Sequence, residues 1–257
     1  MRGERNDLHA EVRERLEAAI VDWGTPDYVT VRAVVALSDD APERLARFTA
    51  MGREFVVDVR KRAAEGGVAA LLADPPSIGE RVLEAATDSI AGSGSRSSTM
   101  RTVSDATAIP MRTLYNTYES GAELVAMCRR RSQTIWRARF EQRVLASTTD
   151  ALGRLFSIVD ALEAWVASPR FGRDQALRAR PTFASRIRDD DLREHLAEID
   201  RFATALASAA GIDAPHEFGA FVATLVDGAA GWFDRREAAH AASVAVVQRF
   251  VTSPDRS

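Results

Sequence analysis

The sequence predicts an all-α protein with a helix-turn-helix unit at 77–126, a larger helical domain at 127–253 and an extra helical segment at 1–74. Three observations carry this reading. Glycine and proline are few, 15 and 9 of 257 residues, and alanine is abundant, which favours helix. Apolar residues recur at three- and four-residue spacing in one stretch after another. The stretch from Ser98 to Leu124, STMRTVSDATAIPMRTLYNTYESGAEL, reads as two short helices joined by a tight turn, then the start of a longer helix.

Composition bounds the class. A chain of 257 residues holds one to two domains and a sizeable core. It is 46% hydrophobic and 28% charged, ordinary for a soluble globular protein. The net charge of -3 and pI of about 5.9 argue against a wholly basic nucleic-acid coat protein. They leave room for a local basic surface beside an acidic remainder. Lys61 is the only lysine; the arginines are spread everywhere, which reads as genome composition. The one cysteine, Cys128, excludes an internal disulfide and fits a reducing cytoplasm. Its helical spacing from Leu124 marks it as a small buried hydrophobe. The opening MRGERNDLHAEVRERLE is charged throughout, unlike a signal peptide. No apolar run approaches the ~20 residues that span a bilayer, so no membrane partner is expected.

The first helix is expected from about Asp7 to Asp22, stopped by Trp23-Gly24-Thr25-Pro26. A second runs from Asp27 to Leu37. Ser38-Asp39-Asp40-Ala41-Pro42 then makes a turn with good capping residues and a proline near the next start. Leu45, Phe48, Phe55, Val56 and Val59 keep one stripe, which predicts a single long helix to about Ala64, ended by Gly66-Gly67. Pro75-Pro76 marks a linker. The segment aligns with the unit that follows it. Leu16-Glu17-Ala18-Ala19 lies on Leu83-Glu84-Ala85-Ala86. Thr30, Arg32, Val34, Leu45, Gly52 and Glu54 then match Thr99, Arg101, Val103, Leu114, Gly121 and Glu123. On this reading it is a degenerate repeat.

In the central stretch, Thr99 can cap the first helix by accepting a bond from an otherwise unpaired backbone N–H. Met100, Val103 and Ala106 fall on one face, and Ala108 and Ile109 break the pattern. Pro110 is tolerated in a first helical turn, and Ile109 before it is biased toward extended backbone. The second helix is expected from Pro110 to about Thr117. Met111 and Leu114 can face inward, which leaves Arg112, Thr113, Tyr115 and Asn116 near the exposed side. Those side chains can meet phosphates and base edges.

Thr99-Met100-Arg101, Val103, Ala106, Ile109, the triplet Thr113-Leu114-Tyr115, Tyr118, and Ser120 ahead of Leu124 resemble the DNA-binding domain of TetR-like (TetR/AcrR-type) regulators. Arg81 to Ile90 resembles that family's first helix. The resemblance runs from Ile78 to Ala126 without a gap. It departs from the pattern at three places: Ala108 stands for a turn glycine, Pro110 for a serine-like cap, and Gly121 for a lysine that contacts phosphate. The missing lysine removes one charge from an interface whose affinity comes largely from phosphate neutralisation. The resemblance implies double-stranded DNA as partner, with Thr99, Arg101, Met111, Arg112, Thr113, Tyr115 and Asn116 as the contacting set. It also implies a homodimer, a small-molecule effector, and no cofactor. For residues 1–74 it supplies a second reading, the remnant of a sensor domain, and the long helix expected there favours this one.

Beyond the central unit, a helix is expected from Glu123 through Arg129-Arg130-Arg131 to about Ala146. The arginines either add to a DNA-facing field or pair with neighbouring acids on a solvated face. Trp136 and Phe140 pack in the core. Asp150 to Ala167 is the next helix and 168–172 a loop. Asp174 to Arg180 and Thr182 to Arg188 are short helices parted by Pro181. Asp189-Asp190-Asp191 suits a helix start. Three adjacent carboxylates cannot all face one ion, so no metal is assigned. That helix ends near Ala210, before Gly211. The last two helices start at Phe218 and Ala238, and Leu225-Val226-Asp227-Gly228 resembles the penultimate helix of TetR-like sensor domains. By that resemblance Phe221, Leu225, Val244 and Val247 face a dimer partner, in an arrangement that suits close helix packing. Trp165, Phe183, Phe202 and Trp232 are the candidate lining of an effector pocket.

The catalytic inventory is thin. His9, His195, His216 and His240 lie in separate segments without metalloprotease spacing. A GxSxG elbow and a phosphate loop with its lysine are both missing. The expected function is that of a cytoplasmic transcriptional regulator, a ligand-responsive repressor and not an enzyme. The alternative is a protein-interaction module that keeps the fold and has lost specific DNA binding.

Overall fold

A computed structural model describes residues 10–65, 67–93, 100–178, 189–229 and 236–252, and the regular structure among them is all helical. In order the helices are α1 (Ala10–Val21), α2 (Asp27–Leu37), α3 (Pro42–Thr49), α4 (Arg53–Ala64), α5 (Val68–Ala73), α6 (Ile78–Ser93) and α7 (Met100–Thr107). There follow α8 (Met111–Thr117), α9 (Gly121–Ser147), α10 (Ala151–Val166), α11 (Phe171–Arg178), α12 (Asp189–Ala209), α13 (Pro215–Gly228) and α14 (Arg236–Thr252). The expected short helix at Thr182–Arg188 lies outside the described residues. None of the described helices is long and apolar enough to cross a membrane.

The chain divides into two compact units, one of Met1–Ala138 with Gly172–Ala184, the other of Arg139–Phe171 with Ser185–Ser257. The linker at Pro75-Pro76 therefore falls inside the first unit. Its expected role as a boundary is overridden by tertiary contacts that join the two sides.

The single helix expected from about Leu45 to Ala64 is two, α3 and α4. Ala50 takes the left-handed conformation, φ 57°, and the Met51 amide donates back to the Ala46 carbonyl at 3.2 Å, which closes α3. Gly52, in extended backbone, opens α4. The apolar stripe continues across the break, because Leu45, Val56 and Val59 all enter one core cluster with Leu16, Val31 and Leu71. The period was a true signal of burial and a false one of continuity. With two short helices in place of one long one, helix length no longer favours the sensor-remnant reading of 1–74. A further helix, α5, follows Gly67, whose amide donates to the Arg62 carbonyl at 3.0 Å.

A buried fork joins the N-terminal helices to α6. Arg32 donates from Nε to Glu80 Oε1 at 2.9 Å and from Nη2 to Glu80 Oε2 at 2.7 Å. Its remaining donors reach the carbonyls of Leu71 and Asp74 from Nη1, at 2.8 and 2.9 Å, and of Pro75 from Nη2, at 3.1 Å. All five guanidinium N–H groups are thereby used. Glu80 also closes a capping box: its Oε2 accepts the Ser77 amide at 2.8 Å, and Ser77 Oγ accepts the Glu80 amide at 3.3 Å.

More charge surrounds this pair. Arg131 of α9 is buried; burial pushes its pKa down, while Asp27, Glu80 and Glu84 act the other way. At this residue the neighbouring acids expected for the Arg129-Arg130-Arg131 run are present, but the site is buried, neither DNA-facing nor solvated. Arg173 of α11 bridges Asp27 of α2 at 3.3 Å and Asp88 of α6 at 3.1 Å. Glu84 accepts the Tyr28 amide at 3.3 Å, and burial raises its pKa.

In the second unit, Asp150 caps α10 by accepting the Gly153 amide at 2.7 Å. Gly211, φ 72°, ends α12 in a Schellman turn: its amide bonds Ser208 and that of Ile212 bonds Ala207, at 3.1 and 3.0 Å. Helices α12 and α13 pack closely at Gly219. A Cβ there would stand 2.1 Å from Asp200 Oδ1, 2.2 Å from Thr204 Oγ1 and 2.7 Å from the Asp200 carbonyl oxygen. His240 of α14 sits between Asp160 and Glu163 of α10, at 3.1 and 3.4 Å.

Gly219 supplies a test of this packing. Glycine to alanine inside an exposed helix stabilises by about 0.5–1 kcal/mol. At Gly219 the sign reverses, because the Asp200 backbone cannot yield as a side chain can, and Gly219→Ala costs about 1–3 kcal/mol. Urea denaturation followed by circular dichroism measures it.

Candidate nucleic-acid interface

The candidate site is the outer face of α7 and α8. Residues 108–110 join the two helices. Ala108 is left-handed, φ 57°, the conformation that favours glycine. Ser104 Oγ donates to the Ile109 carbonyl at 2.6 Å, and Thr107 Oγ1 accepts the Ile109 amide at 3.3 Å, so two side chains of α7 fasten the turn. Pro110 was expected as the first residue of α8 and instead stands just before it, at φ -56° and ψ 138°. Its carbonyl accepts the amides of Thr113 and Leu114, at 2.8 and 3.2 Å. A ring that fixes φ near that value serves as the cap's backbone without supplying a side-chain acceptor.

Apolar anchors set which way α8 faces. Leu114 and Tyr118 are buried in one cluster with Leu83, Met100, Val103 and Leu124. Burial pushes the Tyr118 phenol up to about 12, so it stays neutral at physiological pH. With that edge held, Arg112, Thr113, Tyr115 and Asn116 are all exposed, Tyr115 to 54%. Arg101 is exposed on α7 and Met111 is half-buried. Thr99 lies outside the described residues. The exposed set pairs a guanidinium fork, a carboxamide and an aromatic ring on two adjacent helices. Such groups can take phosphate oxygens, the donor and acceptor edges of guanine and adenine, and a thymine methyl.

The start of α9 carries a feature that sequence reading missed. Ser120 Oγ accepts the Glu123 amide at 3.1 Å, and Glu123 Oε2 accepts the Glu119 amide at 2.6 Å. Side chains therefore take one first-turn amide, that of Glu123, and the Glu119 amide just ahead of the helix. The signal was present as Ser120-x-x-Glu123, the capping-box pattern, just as Ser77-x-x-Glu80 marks α6. The space a Cβ would enter at Gly121 is open.

The other candidates divide. Trp165 is fully buried and meets Phe171 edge-on, ring centroids 4.9 Å apart. Phe202 is half-buried and meets Phe140 at 6.2 Å. Phe183 and Trp232 lie outside the described residues. Phe221, Leu225 and Val244 are half-buried and Val247 is fully buried. Phe221 shares an aromatic cluster with Phe218 and Phe250, at 6.3 and 5.9 Å. In the first unit a cavity of 10 Å³ lies among Arg129, Ser132, Gln133, Trp136, Asp174 and Leu177, about the room one water needs. Cys128 is buried and its thiol is pushed up to about 11, so it is an inert core group. Among the described residues no three His, Cys, Asp or Glu side chains converge as metal ligands would.

Comparison with family models, with curated proteins and with solved structures finds no match to this chain.

Proposed function

We propose that this chain is a DNA-binding transcriptional regulator of the TetR-like kind, a ligand-responsive repressor that acts as a cytoplasmic homodimer. One observation carries the reading. A short helix pinned by Leu114 and Tyr118 presents Arg112, Thr113, Tyr115 and Asn116 together to solvent, beside a second exposed arginine at Arg101. Four adjacent polar and aromatic side chains on a cylinder about 10–12 Å wide fit a major groove about 12 Å wide.

Phosphate contacts set register and affinity, and base-edge contacts set sequence preference. In the dimer, two copies of α8 enter successive major grooves about one helical turn apart. The half-buried side chains Phe221, Leu225 and Val244 supply the face for the partner. An effector held in the second unit, near Trp165 and Phe202, prefers one spacing of the two copies and so shifts DNA affinity.

A second reading has its own support. At the start of α9, where the family has a phosphate-binding lysine, Gly121 adds no charge and the Glu123 carboxylate covers the Glu119 amide. That arrangement fits a protein-interaction module that has given up specific DNA binding.

One titration series separates the two, using fluorescence anisotropy on the DNA upstream of the coding sequence. For a regulator, Arg112→Ala or Asn116→Ala costs about 1–3 kcal/mol of specific binding. Gly121→Lys, which meets no atom within 4 Å at its Cβ, tightens binding to any duplex. It steepens the slope of log affinity against log salt by roughly 0.9 per subunit. Wild-type affinity in both α8 variants removes those residues from the interface. A lack of binding by the wild type and by Gly121→Lys alike leaves the interaction module.

A further inference from the structure

Helices α1–α4 and α6–α9 repeat one order. A shift of 69 positions lays α3 on α8, α4 on the start of α9, and the end of α2 on the end of α7, each to within one residue. A shift of 67 lays α1 on α6. The cores correspond as well. Leu16 and Leu83, Val31 and Met100, Leu45 and Leu114, Val56 and Val125, and Val59 and Cys128 are all buried pairs. A common period in sequence, helix boundaries and burial together is what one fold used twice produces.

The outer faces do not correspond. On α7, Arg101, Thr102 and Asp105 are exposed; their counterparts on α2 are Arg32, Ala33 and Ala36, all buried. Ala33 and Ala36 share a core cluster with Leu71 of α5. Arg32 spends its donors on α5, the 74–75 linker and Glu80. On α3, the places of Arg112, Thr113, Tyr115 and Asn116 are held by Glu43, Arg44, Ala46 and Arg47. Glu43 pairs with Arg53 at 2.7 Å. That face has an acid where α8 has an arginine, and a methyl group where α8 has a ring.

We infer that residues 10–64 are a second copy of the unit at 78–133 with the α2 part of its DNA side turned inward and the α3 part left exposed but stripped of the α8 contact set, and that Arg32, the counterpart of Arg101, is the positioning residue that seats α6 of the working copy. The chain then offers DNA one reading surface. The arginine withdrawn from DNA duty fixes the first helix of the other copy through its capping box.

The inference deepens the regulator reading, and its test has one arm that does not depend on DNA. In the full chain, Ala33→Cys and Thr102→Cys are labelled separately with a thiol reagent; the native Cys128 is buried. The cysteine at 102 reacts at least a hundredfold faster than that at 33. Equal rates overturn the turned-inward face, whether or not the protein binds DNA.

The second arm is a salt titration on the upstream duplex. Arg101→Ala lowers the slope of log affinity against log salt by roughly 0.9 per subunit. Arg44→Ala with Arg47→Ala, on the exposed face of α3, leaves affinity within twofold and the slope unchanged. Arg32→Lys keeps the charge and loses the fork; it weakens binding at least tenfold, without a change of slope, at a temperature where circular dichroism shows the variant folded. A slope lowered by the α3 pair, or by Arg32→Lys, overturns the proposal, because those residues would then neutralise phosphate. Unchanged affinity in a folded Arg32→Lys overturns the positioning role. If the wild type binds no duplex, the regulator reading fails, and the labelling rates still decide whether the repeat's face is turned inward.

Discussion

The first unit depends on one buried fork, Arg32 on Glu80. The two side chains are 5% and 0% exposed. Taking two charges out of water costs several kcal/mol per ion, which their mutual attraction offsets only where the remaining donors and acceptors are satisfied. Here they are. The arginine has no donor left over, and the carboxylate accepts the Ser77 amide as well as both arms of the fork. Removing either partner would strand a buried charge, at a cost of about 3–5 kcal/mol. The pair therefore does more to specify one arrangement of α2, α5 and α6 than to add net stability. It also explains why a proline pair, ordinarily a sign of a linker, lies within a compact unit: the Pro75 carbonyl is one of the fork's acceptors.

From that fixed helix the candidate interface follows by short steps. Leu83 of α6 lies in the cluster that buries Met100 and Val103 of α7 and Leu114 of α8. The turn between α7 and α8 is tied by Ser104 and Thr107. Once Leu114 and Tyr118 are inside, helical geometry leaves Arg112, Thr113, Tyr115 and Asn116 outside. The exposed face is thus the remainder of a packing problem solved behind it. Arg173 of α11 adds a tie between α2 and α6 from a part of the chain far along the sequence. The second unit relies on a different device, a missing side chain at Gly219 that lets α12 and α13 approach.

Much of this was legible in the sequence, and the failures share a cause. The bounds of α2, α8 and α10 came out to within about a residue, because Pro26, Pro110 and Asp150 act locally through backbone geometry or a cap. The break between α3 and α4 did not, because it is made by a left-handed alanine. Nothing in Ala50 announces that conformation, and only Gly52 hinted at a start. The outward set on α8 could be read from spacing alone, since one face of a short helix is fixed once Leu114 is assigned inward. Arg32 could not. An arginine on a helix is ordinarily exposed, and its burial is decided by Glu80, 48 residues away. The run at Arg129-Arg130-Arg131 misled for the same reason, since Arg131 sits inside among acids contributed by α2 and α6. Local chemistry was readable; a charge whose partner lies on another helix was not.

The central claim is that the N-terminal helices and the helices bearing the candidate interface fold as one body through the Arg32–Glu80 fork. Native-state hydrogen exchange on the full chain tests it most directly. If the fork joins them, the slowest amides of α2, such as Val35 and Ala36, and those of α6, such as Leu83 and Ala86, exchange through one opening. They would share a free energy and a dependence on denaturant. Amides of α2 that open at lower free energy, while α6 stays closed, would contradict it.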